Sequence, residues 1–170
     1  MNELRSVYRG KFLEFFVRGK WEFVQRVGAP ACVGIVALTS DRRIILIKQF
    51  RIPVGKVCVE IPAGIIGDHG DEDWKAGAVR ELREETGYTA TDMVYLTEGP
   101  SSAGLTTECI MLARAVGVSK AGEPEPDADE HIQVHEVPLD AVDGFLRACE
   151  GRGELVDPKV FAALYFLRNA

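Results

Sequence analysis

Three glutamates lie close together near the middle of the chain, in the segment AVRELREETGY that runs from Ala78 to Tyr88. If this segment is helical, Glu81, Glu84 and Glu85 are spaced i, i+3 and i+4, and their carboxylates share one face at roughly 5–6 Å spacing. Such crowding destabilises a helix by roughly 0.2–0.5 kcal/mol per like-charged pair. A hard divalent cation such as Mg²⁺ prefers oxygen ligands and would remove the repulsion. The segment therefore indicates either a metal site or a solvated acidic face.

The helix that would carry these glutamates is predicted over residues 72–86. Acidic residues at 71–73 suit the positive end of the helix dipole, and Gly87 follows the last turn as a C′ residue. A glycine-rich loop over residues 63–70 precedes the helix, and glycine lets a backbone approach a ligand closely. The pattern thus places the carboxylates next to a loop that is suited to binding.

The rest of the chain predicts a mixed sheet with helices on its faces. Two strands separated by a short turn form an N-terminal hairpin, and a further pair of strands follows around a four-residue turn at 39–42. The predicted strands cover residues 8–17, 21–27, 32–38, 44–49, 57–61, 94–98, 109–116 and 132–137, and two more helices cover 139–150 and 159–169.

Composition and charge narrow the classes of function. The 170 residues are 46% hydrophobic and 27% charged, which is ordinary for one globular domain. The net charge of −6 argues against unspecific binding to nucleic acid or to an anionic membrane, because both kinds of binding need a positively charged protein surface. The N-terminus lacks the features of a signal peptide, and no apolar run reaches the roughly 18 residues of a membrane span. We therefore expect a cytoplasmic protein.

The segment from Gly64 to Tyr88 resembles the signature of the Nudix hydrolases, G-x5-E-x7-R-E-U-x-E-E-x-G-U, in which U is aliphatic. The match is complete from Glu72 to Gly87. Seven residues rather than five separate Gly64 from Glu72, and Tyr88 replaces an aliphatic residue. A longer loop costs little closure entropy, and neither departure touches an expected ligand. On this pattern the chain is identified as a member of the Nudix family.

Four further segments are similar to the ADP-ribose pyrophosphatase branch of that family, namely KQFR at 48–51, VEIPAG at 59–64, SAGLTTE at 102–108 and DPK at 157–159. The resemblance implies the Nudix α/β/α sandwich with a mixed sheet, preceded by the N-terminal β-hairpin. It also implies hydrolysis of ADP-ribose and related nucleoside diphosphate sugars to a nucleoside monophosphate and a sugar phosphate, with Mg²⁺ or Mn²⁺ as cofactor.

The same resemblance implies a metal-binding and catalytic set on the helix. Glu81 and Glu85 are the expected principal ligands, Glu84 lies close by, and the backbone carbonyl of Ala63 completes the set. Helical geometry supports this independently, since side chains at 81 and 85 are one turn apart and can chelate one ion or bridge two. Arg80 is expected to orient one of the glutamates.

The general base is expected from the acidic loop at 123–130, because this branch often supplies it from a mobile acidic loop late in the chain. Glu130 is the first choice, since the strand that follows it would anchor its position. Asp129 and Asp127 remain alternatives.

Four residues are expected to contact the substrate. Arg51 follows a strand and presents a planar bidentate donor that suits a phosphate. Glu108 closes the loop that begins at Ser102 and is expected to reach the ribose or a metal-bound water. Gly104 lies in the same loop, where many relatives carry Ser-Pro-Gly instead of Ser-Ala-Gly, so we expect a broader substrate range. Trp21 has two interpretations, namely stacking on a nucleobase and, as the favoured one, packing in the core or a dimer interface.

The whole chain, 1–170, is predicted to be one Nudix domain, with residues 1–28 as the N-terminal hairpin and 29–170 as the Nudix fold. Enzymes of this branch commonly work as dimers with exchanged N-terminal strands, so a homodimer through the hairpin is expected. Two alternatives stay open: a hydrolase for another nucleoside diphosphate derivative, such as GDP-mannose or NADH, and a Nudix domain that binds ADP-ribose without cleaving it. The second is disfavoured, because such domains usually lose acids from the signature and this chain keeps them all.

Overall fold

A computed structural model describes residues 3–28, 31–66, 73–125 and 131–169. The strands are β1 (Arg5–Arg9), β2 (Leu13–Arg18), β3 (Trp21–Arg26), β4 (Ala31–Val36), β5 (Arg43–Arg51), β6 (Lys56–Glu60), β7 (Ala63–Ile66), β8 (Tyr88–Thr89), β9 (Asp92–Pro100), β10 (Cys109–Val116), β11 (Ser119–Lys120), β12 (Gln133–Pro138) and β13 (Leu155–Val156). The α-helices are α1 (Trp74–Thr86), α2 (Val142–Gly151) and α3 (Pro158–Arg168). None of the helices in these ranges is long and apolar enough to cross a membrane.

Two mixed four-stranded sheets form the centre of the molecule, in the orders β7-β4-β10-β9 and β12-β5-β6-β13. Strand β4 runs parallel to β10, and β13 runs parallel to β6, while the other pairs in these sheets are antiparallel. Two further strands, β8 and β11, form a short antiparallel pair.

Helices cover both sides of these sheets because the central strands are apolar on both faces. One buried cluster joins the sheets to α1 and includes Val33, Ile35, Ile45, Ala78 and Leu82. A second buried cluster joins the opposite faces to α2 and α3 and includes Val36, Ile44, Leu46, Leu146 and Leu164. Alternate residues of a strand point to opposite faces, so β4 and β5 each contribute to both clusters. The predicted α/β/α sandwich is confirmed.

The predicted pairing of strands 32–38 and 44–49 with each other is wrong. The turn between them exists, because Thr39 N–H donates to the Arg43 carbonyl at 2.9 Å. Beyond one bridge between Leu38 and Ile44, however, β4 and β5 separate into different sheets. Both strands are buried on two faces, and each pairs with two other strands. An apolar run in the sequence indicates such burial but does not show which strands will pair.

The N-terminal hairpin is present as β2 and β3, but it belongs to a three-stranded antiparallel sheet in the order β1-β2-β3. The predicted first strand, 8–17, is interrupted where Gly10 N–H donates to the Leu13 carbonyl at 2.8 Å. The chain reverses there, so that β1 folds back on β2.

Helix α1 begins at Trp74, two residues later than predicted, after the N-cap Asp73, whose carboxylate accepts from Lys75 N–H at 3.2 Å. It ends at Thr86 as predicted, and Gly87 follows with φ +70°. The preceding segment, predicted as a loop from residue 63, instead begins as strand β7.

Gly87 also contacts the chain segment that follows β11. Its carbonyl accepts from Ala121 N–H at 2.8 Å and from Gly122 N–H at 3.1 Å. A Cβ at this position would lie 2.3 Å from the Gly122 carbonyl oxygen. The close approach of two backbones therefore requires glycine here, in addition to the positive φ.

We expect Gly87→Ala to reduce the free energy of unfolding by more than a matched substitution at Gly153. Gly153 has a φ of +82° but nothing within 4 Å of an added Cβ, so Gly153→Ala should cost only the roughly 1–2 kcal/mol of a left-handed residue. At Gly87 a rigid carbonyl must also move, which adds about 1–3 kcal/mol. Urea denaturation of both variants measures the difference, and equal losses would contradict the close approach.

Candidate active site

Helix α1 directs its glutamates toward strand β7. Glu85 is only 4% exposed, and its Oε2 accepts from the Ala63 N–H at 2.9 Å. The side chain of Glu81 is 14% exposed and that of Glu84 is 43% exposed. A carboxylate as buried as that of Glu85 needs hydrogen bonds or a cation to offset its lost hydration. The acidic face is therefore packed against the sheet, and the interpretation as a solvated surface helix is wrong.

Gly64 makes this packing possible. A Cβ at residue 64 would lie 2.0 Å from the carboxyl carbon of Glu81 and 2.1 Å from its Oε2. No other residue type leaves room for the carboxylate in this position. The first glycine of the signature is thus explained by contact with the glutamate seventeen residues later.

Arg80 connects the other two carboxylates. One of its terminal nitrogens donates to Glu81 Oε1 at 3.0 Å and to Glu84 Oε2 at 2.9 Å. The side chain of Arg80 is partly buried, so both bonds are only partly screened by solvent. Arg80 orients glutamates, as the sequence predicts.

The carboxylates fit a hard divalent cation. Within the described ranges no three His, Cys, Asp or Glu side chains converge on one point, and Arg80 and the Ala63 N–H each donate to carboxylate oxygens of α1. A Cβ at Gly64 would nevertheless overlap the Glu81 carboxylate, so this carboxylate offers its oxygen donors directly beside the backbone of β7. Mg²⁺ uses one or two carboxylates and takes its remaining ligands from water and substrate phosphates.

Arg51 lies at the end of β5 and is already paired with an acid. Its Nε donates to Glu60 Oε1 at 2.7 Å, and a terminal nitrogen donates to Glu60 Oε2 at 2.5 Å. These bonds raise the pKa of Arg51 above its ordinary value against the opposing effect of burial, and the charges of Glu60 and Glu85 act in the same direction. The charge of Glu85 on α1 thus acts on the guanidinium in addition to that of Glu60.

Glu60 has no predicted role, although its sequence context contains a signal. It is a single acid within the otherwise apolar run VCVEI, and its side chain is 5% exposed. A buried carboxylate in a strand requires a partner, and an arginine at the end of the neighbouring strand is the natural candidate. Since Glu60 uses two donors of Arg51, three of the five guanidinium N–H groups are left for other acceptors.

The loop between β9 and β10 forms a closed turn. The carbonyl of Ser102 accepts from Leu105 N–H at 2.9 Å and from Thr106 N–H at 3.0 Å. Ala103 and Gly104 therefore occupy the tip of the turn, and a Cβ at Gly104 would meet nothing within 4 Å. The tip is open to an incoming ligand, but hydrogen bonds at its base restrain it.

Glu108, at the end of this loop, forms an ion pair with Arg26 of β3. Burial alone would raise the pKa of Glu108, but hydrogen bonds from Arg26 and Ser101 outweigh it and lower the pKa below its ordinary value. A cavity of about 340 Å³ adjoins the pair and is lined in part by Cys32 and Thr107. Burial, followed by the charge of Glu108, raises the pKa of Cys32 to about 11, so its thiol stays protonated at neutral pH.

The acidic segment after β11 runs beside the end of α1. Glu125 N–H donates to the Glu84 carbonyl at 2.8 Å, in addition to the bonds that Gly87 accepts. The residues expected to supply the general base, Glu130 with Asp127 and Asp129 as alternatives, lie outside the described residues. The same is true of Glu72 of the signature.

Trp21 begins β3 at the end opposite Arg26 and is 57% exposed. Two residues later Phe23 stacks on Phe16, with ring centroids 5.9 Å apart. Trp21 is therefore not a core residue of the single chain, which leaves dimer packing or nucleobase stacking as its predicted uses.

Comparison with known proteins supports the assignment from the signature. Residues 28–157 match the model of the NUDIX domain. An ADP-ribose pyrophosphatase of Bacillus subtilis is 35% identical over 96% of this chain and 89% of its own length. A methanol dehydrogenase activator of Bacillus methanolicus is 34% identical over 82% of this chain and 72% of its own. A crystal structure of an ADP compounds hydrolase aligns with a TM-score of 0.74 over 98% of this chain and 90% of that chain, at 18% identity, which supports the fold alone.

We expect Gly64→Ala to weaken divalent-cation binding without unfolding the protein. The added Cβ displaces the end of the flexible Glu81 side chain rather than the backbone, so stability changes little while the carboxylate loses its position. Loss of such an arrangement typically costs 10–100-fold in metal affinity. Calorimetric titration with Mn²⁺ measures the dissociation constant. Gly144→Ala, where an added Cβ meets nothing within 4 Å, is the control, and equal Mn²⁺ affinity of the two variants would contradict the role of Gly64.

Proposed function

Because the chain belongs to the Nudix hydrolase family, we propose that it hydrolyses the pyrophosphate bond of ADP-ribose and related nucleoside diphosphate sugars, giving a nucleoside monophosphate and a sugar phosphate. Membership of the family makes the protein an enzyme that acts on pyrophosphate bonds. The name of the Bacillus subtilis relative supports ADP-ribose as the substrate. The observation that carries the proposal is the packing of Glu81 and Glu85 against Ala63 and Gly64.

The carboxylates would hold Mg²⁺ or Mn²⁺. A divalent cation, when bound, neutralises phosphoryl oxygens and lowers the pKa of the attacking water. Glu81 and Glu85 are the proposed ligands, together with the carbonyl of Ala63, and Glu84 lies at the exposed edge of the cluster. The bonds from Arg80 keep Glu81 and Glu84 oriented toward the site.

Other residues would bind and orient the substrate. The donors of Arg51 that Glu60 does not use are suited to a phosphate oxygen near the metal-binding carboxylates. Glu108 would accept hydrogen bonds from ribose hydroxyls at the cavity beside it, below the loop tip that carries Gly104. The general base is proposed to come from the acidic loop, with Glu130 as first choice, and the bond from Glu125 N–H to the Glu84 carbonyl holds the start of that loop beside the glutamates.

A homodimer through the N-terminal sheet is part of the proposal. Apolar side chains on this sheet are widely exposed in the single chain, with Tyr8 at 69%, Phe12 at 67% and Trp21 at 57%. Exposed apolar groups that cluster on one element favour a protein interface. Residues 1–28 would then serve in dimerisation, and the remainder would form the catalytic part of a single domain. Trp21 would pack in this interface or against the base of a bound substrate.

A substrate panel tests the proposed activity. The purified protein is incubated with Mg²⁺ and ADP-ribose, ADP-glucose, GDP-mannose, UDP-glucose, NADH or diadenosine polyphosphates, and released phosphomonoesters are identified. We expect AMP and ribose 5-phosphate from ADP-ribose. Activity confined to NADH or to dinucleotides would replace the proposed substrate class. Calorimetric binding of ADP-ribose without any cleavage would favour the ligand-binding alternative.

The proposed ligand Glu85 is tested by Glu85→Gln, which keeps the shape of the side chain but removes its charge. We expect turnover to fall by at least about a hundredfold with the fold intact, because the interaction acts on the transition state. Arg83→Ala is the matched control on the same helix, since Arg83 is exposed, and it should change turnover little. Near-normal Mg²⁺-dependent activity of folded Glu85→Gln protein would overturn the assignment.

Selectivity is tested at the loop tip. Ala103 is the second residue of the turn from Ser102 to Leu105, a position that accepts proline, whose ring would stiffen the tip. We expect the native protein to cleave ADP-ribose and at least one nucleoside diphosphate hexose within about tenfold in kcat/KM, which is about 1.4 kcal/mol. Ala103→Pro should narrow that range. A native preference for ADP-ribose above about a hundredfold over every hexose conjugate would show that the loop tip does not set selectivity.

A further inference from the structure

The N-terminal sheet is continuous with the loop that carries Glu108. Val24 of β3 donates its N–H to the Leu105 carbonyl at 2.9 Å, and its carbonyl accepts from Thr107 N–H at 3.2 Å. Val24 and Thr106 form a parallel bridge, so this part of the loop extends the sheet as an additional short strand. The tip of the loop is exposed, with Leu105 at 59%. The position of the loop therefore depends on its contacts with β3.

A side-chain contact strengthens this junction two residues further along β3. Arg26 donates from Nε to Oε1 of Glu108, and the Glu108 side chain is 18% exposed, compared with 43% for Arg26. Burial alone would raise the pKa of Glu108, but Arg26, Ser101 and the charge of Lys159 together lower it, so the carboxylate is ionised beside Arg26. Glu108 is thus bound by a side chain of the N-terminal sheet, to which its loop is also joined through Val24.

An ordinary surface ion pair is the alternative, and such pairs contribute only about 0–1 kcal/mol to stability. Two features distinguish this pair. Its carboxylate is mostly buried beside the cavity of about 340 Å³, and the loop that carries it is joined to the same strand by two backbone hydrogen bonds. A carboxylate offers about four acceptor sites, so the bond from Arg26 leaves capacity for a sugar hydroxyl.

We propose that Arg26 is a positioning residue for substrate binding: it holds the Glu108 carboxylate, and with it the end of the loop, in the orientation that accepts hydroxyls of the substrate's sugar. This inference rests on the proposed function. It means that the sheet proposed for dimerisation also determines the geometry of the substrate site within its own chain.

A double-mutant cycle between Arg26 and Glu108 tests the inference. KM and kcat for ADP-ribose with Mg²⁺ are measured for Arg26→Ala, Glu108→Gln and the double variant. We expect each single variant to raise KM about tenfold while kcat stays within about twofold, because binding is affected and the metal-binding carboxylates are not. The KM of the double variant should be no higher than that of Glu108→Gln alone. The two substitutions would then be coupled by about 1.4 kcal/mol in binding free energy.

Two further variants separate positioning from general structure. Arg26→Lys keeps the positive charge and should recover part of the lost affinity. Arg9→Ala breaks a comparable ion pair in the same N-terminal sheet, Arg9 with Glu14 at 3.4 Å, whose carboxylate is 16% exposed, and should leave KM unchanged. Thermal melting and sedimentation of all variants check that fold and assembly are retained, and if Arg26→Ala fails to fold, Arg26→Gln takes its place.

Additive effects in the cycle, an unchanged KM in Arg26→Ala, or an equal rise in Arg9→Ala would overturn the inference. Each of these results is compatible with cleavage of ADP-ribose by the native protein, so the proposed function would stand. Failure of the native protein to cleave or bind ADP-ribose would overturn the proposed function and this inference together.

Discussion

The close approach of strand β7 to helix α1 is the contact on which the rest of the site depends. Gly64 leaves space for the Glu81 carboxylate, and the N–H of Ala63 binds the nearly buried carboxylate of Glu85. Without a side chain at residue 64 the backbone and the Glu81 carboxylate can occupy neighbouring positions, and the N–H helps to offset the lost hydration of the buried Glu85 carboxylate. The contact converts an acidic helix face, unfavourable by itself, into a set of oriented oxygen donors.

Backbone bonds hold the other parts of the proposed site on α1 and on the N-terminal sheet. The acidic segment reaches α1 through the carbonyls of Glu84 and Gly87, and the loop that ends at Glu108 reaches β3 through Val24. Such bonds do not depend on side-chain identity, so the loops can differ in sequence between relatives while the ends of the loops keep their positions. Substrate preference can then vary at a tip such as that of Ala103 and Gly104 while the carboxylate geometry remains the same.

The parts of the structure that sequence reasoning predicts are those contained in one contiguous segment. Helix α1, its end at Thr86 and the carboxylates on one face all follow from local spacing. Partners that are distant in sequence escaped prediction: Arg26 and Glu108 are 82 residues apart. The separation of β4 from β5 escaped it for the same reason, since their apolar runs indicate burial but not which strands pair.

Glu81 and Glu85 are the proposed ligands of a divalent cation that binds against β7. Crystals of the protein grown with Mn²⁺ test this assignment most directly, because the anomalous scattering of manganese identifies the ion without reference to activity. We expect an anomalous peak within coordination distance of carboxylate oxygens of both Glu81 and Glu85. A bound Mn²⁺ whose ligands include neither of these two carboxylates would contradict this assignment.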